Sequence, residues 1–255
     1  MKPNIVSTLN EKLLKQPFSK NGDETVMLAK YQQLAAGYAK IENSIAVLSD
    51  MKSNKSYLYN GGIAEKLGFA ERGSTKNINS IWEEEIFDRI HPDDLMNKYL
   101  LELQFFQLLE TLPVKERSDY YAVNKMRMKN SFGEYITIRH RIFYVCNRPL
   151  GNLWLTLCFY DCSFGEPEHE AGIIVNSATG DVIKFSRENS SSLLSKREKE
   201  ILLLIEKGEM SKDIADTLFI SIHTVNRHRQ NILEKLRVKN SIEACRVAKL
   251  MRLFS

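Results

Sequence analysis

Long apolar runs and cysteine-rich segments are both missing from this chain of 255 residues. No apolar stretch approaches the ~18–20 residues that a membrane-spanning helix needs. The first residues, Met-Lys-Pro-Asn-Ile-Val-Ser, lack the apolar segment of a secretory signal. The four cysteines form no Cys-x-x-Cys pair and have no His-x-x-x-His pair near them, which argues against a disulfide framework and a metal site. We therefore expect a cytoplasmic protein with reduced thiols and no membrane association.

Signatures of enzymes are equally absent from the sequence. It contains no phosphate-binding loop, no Gly-x-Gly-x-x-Gly, no nucleophile paired with a base and no metal-ligand spacing. An enzyme is therefore the least favoured hypothesis, no catalytic residue is predicted, and the cofactor, if there is one, stays unknown. The composition is otherwise ordinary, with 43% hydrophobic and 27% charged residues, and the length suits about two domains.

Positive charge is concentrated in the last quarter of the chain. Residues 192–255 contain 13 Lys and Arg against 8 Asp and Glu, whereas the first 191 residues contain 23 against 24. A basic module attached to a nearly neutral body favours an anionic partner, with nucleic acid first among the candidates. The excess is modest, so the function has to be argued from the pattern of residues.

The pattern of apolar residues divides the chain into four stretches. We expect a helical extension at 1–44, an α+β domain at 45–165, a connector with two strand-like segments that suggest a β-hairpin at 166–191, and an all-α domain at 192–255. Within the extension, one helix face carries an apolar stripe at spacings of four, three, four and three: Met27, Tyr31, Leu34, Tyr38 and Ile41. We expect this stripe to pack on its own chain, with a second copy of the chain as the alternative.

Alternating apolar and polar residues predict an antiparallel sheet in the second stretch. In residues 135–145, apolar residues alternate with Thr137, Arg139 and Arg141, and residues 153–160 alternate in the same way beyond a predicted turn. A strand is also predicted at 44–50, and helices near 61–69 and 94–112. Helices placed between the early and late strands of an antiparallel sheet make an α+β domain.

Capping residues predict four helices in the last stretch. Ser195 and Glu198 form a capping box for the first helix, which ends near Gly208. Ser221 is a favourable N-cap for the third helix. The helices are predicted at about 196–207, 211–218, 222–236 and from Asn240 onward. Two short helices joined by a tight turn, with another packed behind them, make a helix-turn-helix.

The third of these helices has one apolar side and one side rich in hydrogen-bonding groups. At about 100° per residue, Val225, Ile232 and Leu236 fall on one arc, which we expect to face the core. The opposite arc contains the predicted base-contacting residues: Asn226, Arg227 and Gln230. Arginine suits guanine in the major groove, and Asn or Gln suits adenine. Contacts to the DNA backbone are predicted for a further set: Lys212, Ser221, Thr224, His228, Arg229 and Asn231.

A gapless series of positions in residues 193–252 matches a family pattern. The matching positions are Leu194-Ser-Lys-Arg-Glu-Lys-Glu-Ile-Leu202, Gly208, Ile214-Ala215, Leu218-Phe-Ile-Ser221, Thr224-Val225, His228, Ile232 and Lys235-Leu236. They resemble the LuxR-type DNA-binding domain, which implies that the third helix enters the major groove and the fourth supports dimerisation. Two positions depart from the family. Asn226 replaces a common Lys, and Met210 replaces the usual Ser cap, so that either Ser211 caps one residue late or the cap is weaker.

The segment Ile90-His-Pro-Asp-Asp-Leu95, together with the order of elements in residues 45–165, resembles a PAS domain. The resemblance implies a sensor of a small molecule, of redox state or of a partner. The residues alone explain this segment as a helix start, because Pro and Asp favour the first turn. The Asn-Cys-Arg-like motif of flavin-binding PAS domains is absent. A haem ligand stays open, although we expect His140 to be packed or hydrogen bonded.

The leading hypothesis is a transcription regulator that binds a two-fold site in double-stranded DNA as a homodimer. A small-molecule ligand in the PAS-like domain and a contact with RNA polymerase are further expected interactions. The alternative is a signal-sensing module whose C-terminal helices contact a protein partner instead of DNA. The dimer interface stays open among residues 24–44, the sheet and the fourth helix.

Overall fold

The computed structural model describes two compact units. The described residues are 4–18, 24–147, 151–163, 172–184, 194–236, 238 and 240–250, with 4–8, 147 and 249–250 described by their backbone alone. The sheet unit is Leu9–Phe185, and the helical unit combines Ser186–Ser255 with Met1–Thr8. Of the predicted connector at 166–191, residues 166–171 and 185–191 lie outside the described residues.

An antiparallel sheet of eight strands organises the described part of the sheet unit. The strands are β1 (Ile45–Asp50), β2 (Lys55–Asn60), β3 (Thr75–Ile78), β4 (Tyr120–Lys129), β5 (Tyr135–Asn147), β6 (Asn152–Cys162), β7 (Ile173–Asn176) and β8 (Val182–Lys184). They lie in the order β3-β2-β1-β6-β5-β4-β7-β8, and each neighbouring pair is antiparallel. The predicted strands at 44–50, 135–145 and 153–160 are present as β1, β5 and β6, whereas β2, β3 and β4 were not predicted.

Helices cover the two faces of this sheet differently. The described helices of this part of the chain are α1 (Asn4–Leu14), α2 (Glu24–Ile41), α3 (Gly62–Lys66), α4 (Glu84–Phe87) and α5 (Pro92–Thr111). Ala35 and Ala39 of α2 are buried in a cluster with Ala46 and Leu48 of β1, on what we call the α2 face. On the opposite face, which we call the α5 face, Phe105 of α5 packs on Tyr144 with ring centroids 5.3 Å apart.

The pairing of β5 with β6 sets which side chains reach each face. His140 lies opposite Tyr160, and both are fully buried on the α5 face. The neighbouring pair, Arg141 opposite Phe159, lies on the α2 face, since successive side chains point to opposite sides of a strand. The predicted alternation in β5 is therefore present.

The predicted helix start at His91-Pro-Asp-Asp is the beginning of α5. His91 is the N-cap, and its side chain accepts a hydrogen bond from the backbone N–H of Asp93 at 3.3 Å. Each carboxylate oxygen of Asp94 accepts a hydrogen bond of 2.8 Å from the guanidinium of Arg127 in β4. The backbone N–H of Arg127 donates a further hydrogen bond to Asp94 at 2.7 Å. The segment therefore begins a helix and also fastens that helix to the sheet.

The apolar stripe on α2 lies differently from our expectation. The buried residues of α2 are Ala35 and Ala39, which lie beside the stripe on the helix surface, and Tyr31 of the stripe packs against the same cluster. Most of the stripe is exposed to solvent in the single chain, with exposed fractions of 44% for Met27, 47% for Leu34 and 83% for Ile41. The expectation that the stripe packs on its own chain holds for Tyr31 and for Tyr38, whose ring centroid lies 5.2 Å from that of Phe159, and is wrong for Met27, Leu34 and Ile41. Small alanines allow a close approach of helix to sheet, which the bulkier stripe residues do not.

Four helices form the described part of the helical unit in residues 194–250. They are α6 (Lys196–Glu206), α7 (Ser211–Leu218), α8 (Ile222–Leu236) and α9 (Ser241–Leu250). The predicted fold class is confirmed: an α+β domain with an antiparallel sheet, followed by an all-α domain. Among the described residues, no helix combines the length and the hydropathy that crossing a membrane requires.

The ion pair between Asp94 and Arg127 gives a testable contribution to stability. We expect Asp94→Asn to lower the free energy of unfolding by about 1–2 kcal/mol, because charged hydrogen bonds are lost. Burial alone would raise the pKa of Asp94, but the hydrogen bonds from Arg127 lower it below its usual value. This stabilisation is therefore present above the unfolded-state pKa and is lost as the pH falls through the lower folded-state value.

Urea unfolding of the full chain at pH 7 and at acidic pH measures this difference. Asp93→Asn is the matched control, since Asp93 is exposed in the same helical turn. Equal unfolding midpoints for the two variants at pH 7 would contradict the assigned role of Asp94.

Candidate nucleic-acid interface

The core of the helical unit fixes which side of α8 faces outward. Val225, Ile232 and Leu236 are buried, as predicted. The residues that share this core come from the other three helices: Ile201, Leu202, Ile214, Ala215, Ala244, Val247 and Ala248. Because three turns of α8 are anchored in this way, its opposite face is presented to solvent in a fixed orientation.

A buried carboxylate ties the start of α6 to the end of α8. Glu198 accepts hydrogen bonds from the backbone N–H of Ser195 and from the ammonium of Lys235, both at 2.7 Å. The Ser195 hydroxyl accepts from the backbone N–H of Glu198 at 3.2 Å, which completes the predicted capping box. Burial opposes ionisation here, but the hydrogen bonds from Lys235 and Ser195 lower the pKa of Glu198.

The three predicted base-contacting residues lie together on the outward face of α8. Asn226, Arg227 and Gln230 are all exposed, and their positions on one helix place them within one turn of each other. The Gln230 amide donates a hydrogen bond to the carboxylate of Glu234 at 3.1 Å, which orients it along the helix. This face can offer amide and guanidinium donors to a ligand.

The residues predicted to contact the DNA backbone differ in their exposure to solvent. Lys212 and Ser221 are exposed, and Thr224 is half-buried near the beginning of α8. The Ser221 hydroxyl accepts from the backbone N–H of Thr224 at 3.0 Å and lies 2.9 Å from the Thr224 hydroxyl, so Ser221 is the N-cap that the sequence predicts. His228 and Asn231 are half-buried on the flanks of the helix.

Arg229 makes hydrogen bonds within the helical unit that the sequence did not predict. Its guanidinium donates to the Ser211 hydroxyl of α7 and to the Ser241 hydroxyl of α9, each at 3.1 Å. Arg229 therefore links three helices within the unit. The remaining N–H groups of Arg229 are the part that a phosphate could still contact.

At the start of α7, Ser211 is not the cap, and the alternative of a weaker cap agrees with the lack of a side-chain hydrogen bond at the N-cap. The N-cap is Met210, and Ser211 is the first helical residue, whose hydroxyl faces Arg229. Asp213 accepts from the backbone N–H of Met210 at 3.2 Å, which is the reciprocal half of a capping box. The spacing of Met210 and Asp213 was the signal in the sequence that could have identified this cap.

The turn between α7 and α8 contains a strained residue. Phe219 adopts a left-handed backbone conformation, with φ 54° and ψ 44°, and its side chain is 94% exposed. A bulky residue in this region costs about 1–2 kcal/mol relative to glycine. The sharp turn brings α7 and α8 together at this cost.

Comparison with known proteins identifies the helical unit. Residues 192–248 match the model for bacterial regulatory proteins of the luxR family. Similar curated proteins include the oxygen regulatory protein NreC of Staphylococcus epidermidis, which is 45% identical over 69 residues covering 27% of this chain and 31% of NreC. The transcriptional regulatory protein LiaR of Bacillus subtilis is 39% identical over 87 residues, covering 32% of this chain and 39% of LiaR.

These matches span only about a third of the length of the curated relatives. Among solved structures, the Vibrio cholerae VqmA dimer in the absence of target DNA is 17% identical, and the match covers 90% of this chain and 88% of VqmA with a TM-score of 0.29. A TM-score this low does not establish a common arrangement of the two chains. The luxR-family domain predicted from the sequence is confirmed for residues 192–248.

The missing side-chain cap on α7 gives a stabilising substitution. We expect Met210→Ser to raise the free energy of unfolding by about 0.5–2 kcal/mol, because a serine hydroxyl can accept from the backbone N–H of Asp213. Little packing is lost, since Met210 is 74% exposed. Met210→Ala is the control, which removes the same side chain without adding an acceptor. Equal melting temperatures for the Ser and Ala variants would contradict this account.

Proposed function

We propose that this chain, whose residues 192–248 form a luxR-family domain, is a transcription regulator that binds specific sequences of double-stranded DNA. The observation that supports this most directly is the outward face of α8, where Asn226, Arg227 and Gln230 are exposed side by side. An α-helix fits the major groove of DNA, and these residue types can form paired hydrogen bonds with adenine or guanine. The base-contacting face is therefore assigned to these three residues.

Contacts with the DNA backbone would hold α8 in the groove. Ser221 and Thr224 lie where α8 begins, and a helix N-terminus favours phosphate through its backbone N–H groups. Lys212, His228 and Asn231 flank this position and can donate to phosphate oxygens. For Arg229 we propose mainly the linking of α7, α8 and α9, since two of its donors are already used within the unit.

Dimerisation through α2 would supply the two-fold symmetry of the DNA site. The exposed stripe repeats with a mean spacing of 3.5 residues, which is the seam of a two-stranded coiled coil. Met27, Leu34 and Ile41 are seven residues apart and are all exposed in the single chain. We propose a second copy of α2 as the partner, because an identical heptad seam is complementary to itself.

A groove beside α2 is our candidate for the small-molecule site of the sheet unit. Its volume is about 770 Å³, and its lining is largely aromatic, with Tyr31 and Tyr38 from α2 and Phe143, Trp154 and Phe159 from the sheet. Organic ligands occupy pockets of roughly 300–1,000 Å³ with such linings. The same helix lines the groove and carries the stripe, so a ligand bound here could alter dimerisation.

Selection of bound sequences from a random duplex pool tests DNA recognition by the full-length chain. We expect an inverted repeat to be enriched. Arg227→Ala should then relax the preference at one base position of each half-site by about 1–3 kcal/mol, while preferences elsewhere are kept. Arg246→Ala is the matched control, since Arg246 is exposed on α9. If the wild-type chain enriches no sequence, the α8 face does not recognise bases, and contact with a protein such as RNA polymerase becomes the better hypothesis.

Sedimentation of the full-length chain tests the dimer. We expect the wild-type chain to dimerise and Leu34→Glu to weaken the dimer at least about tenfold, because a charge at a seam position loses apolar burial and repels its copy. Ala29→Glu adds the same charge to the same helix away from the stripe and should leave the dimer intact. A monomeric wild-type chain, or equal dissociation constants for both variants, would contradict this interface.

A further inference from the structure

A cluster of buried polar side chains lies between α5 and the sheet. Glu102 of α5, His140 of β5 and Cys158 of β6 are all buried, and one ligand atom from each lies within 4.8 Å of the other two. We propose that these three residues bind a divalent transition-metal ion of the zinc type. The residues are far apart along the chain, so the absence of a ligand spacing in the sequence says nothing about this cluster.

His140 is already oriented as a metal ligand. Its Nδ1 lies 3.0 Å from the amide oxygen of Asn124, which can only accept, so the proton is on Nδ1 and the lone pair is on Nε2. Nε2 is buried and has no hydrogen-bond partner among the described residues. Metal-ligating histidines usually donate their other ring N–H to an oxygen in this way, which fixes the tautomer and the ring orientation. Stacking of the ring on Tyr160, with centroids 4.5 Å apart, holds it further.

The carboxylate of Glu102 is held in place by Lys98. The Lys98 ammonium donates to Oε1 of Glu102 at 2.6 Å, and the second carboxylate oxygen remains as a ligand atom. A thiolate and the Glu102 carboxylate would offset the two positive charges of a divalent ion.

A small cavity borders two of the three proposed ligands, and its lining does not include His140. The cavity that Glu102 and Cys158 line has a volume of about 20 Å³. Roughly 10–15 Å³ is enough for one water, whereas drug-sized ligands need hundreds of Å³. Thr156 lines the same cavity, and its hydroxyl is buried without a partner among the described residues, so it could hydrogen bond to a water on the ion.

The donor set indicates which ion fits. One thiolate, one imidazole and one carboxylate are typical zinc ligands, and three protein ligands leave the fourth position to water. Magnesium and calcium prefer oxygen ligands alone, so this cluster suits them poorly. A bound ion would connect α5 to the two central strands of the sheet.

Cobalt is the spectroscopic probe for this site. We titrate Co²⁺ into the full-length chain after chelator treatment and expect one ion per chain, with a thiolate-to-cobalt charge-transfer band that Zn²⁺ abolishes by displacement. Cys158→Ser should remove the band, whereas Cys162→Ser, which changes a half-buried cysteine on the same strand, should keep it. Asn124→Ala keeps all three ligands and should weaken binding about 10–100-fold through loss of the support to His140.

Far-ultraviolet circular dichroism confirms that each variant is folded before titration. The proposal is overturned if the folded wild-type chain shows no charge-transfer band. It is also overturned if the band persists in folded Cys158→Ser or disappears in Cys162→Ser, because the ion would then bind at another thiol. An unchanged affinity of Asn124→Ala for Co²⁺ would contradict the orientation that we assign to His140.

Discussion

The pairing register of β5 and β6 is the constraint on which the sheet unit depends. These strands form the centre of the sheet, and a shift by one residue would exchange the two faces completely. In the observed register His140 lies opposite Tyr160 and is buried under α5, whereas Arg141 lies opposite Phe159 beside α2. The polar cluster on one face and the aromatic groove on the other therefore both follow from a single alignment of two strands.

In the helical unit, by contrast, short-range caps and a few long-range hydrogen bonds define the structure. Ser195 and Ser221 begin α6 and α8, and Glu198 joins those two helices through Lys235. These contacts keep the outward face of α8 clear of the core. Different interactions therefore determine the two units. Strand register determines the sheet unit, and helix caps together with the ion pair of Glu198 and Lys235 determine the helical unit.

The sequence predicts local features of this protein well because their causes are local. The four helices of the C-terminal region follow from caps and from the apolar periodicity of residues such as Val225 and Ile232. Strand β4 was not predicted. Its buried side is formed by Ala122, Asn124, Met126 and Met128, none of which is a β-branched or aromatic residue of the kind that marks a strand in a sequence.

Features that depend on distant packing were missed or misjudged. Which side of α2 is buried depends on how closely Ala35 can approach β1, and the sequence does not specify that approach. The meeting of Glu102, His140 and Cys158 depends in the same way on the register of the sheet and on the placement of α5. The role of Arg229 needed the positions of two serines on other helices.

The clamp formed by Arg229 also bears on how the protein can be controlled. A single guanidinium bonded to hydroxyls of α7 and α9 means that α8 cannot tilt without breaking both bonds at once. The domain should therefore move as a rigid body, with the shape of the outward face of α8 preserved. Under the proposed function, regulation would change the availability or the spacing of these faces, and sequence preference would stay the same in the active and the inactive protein.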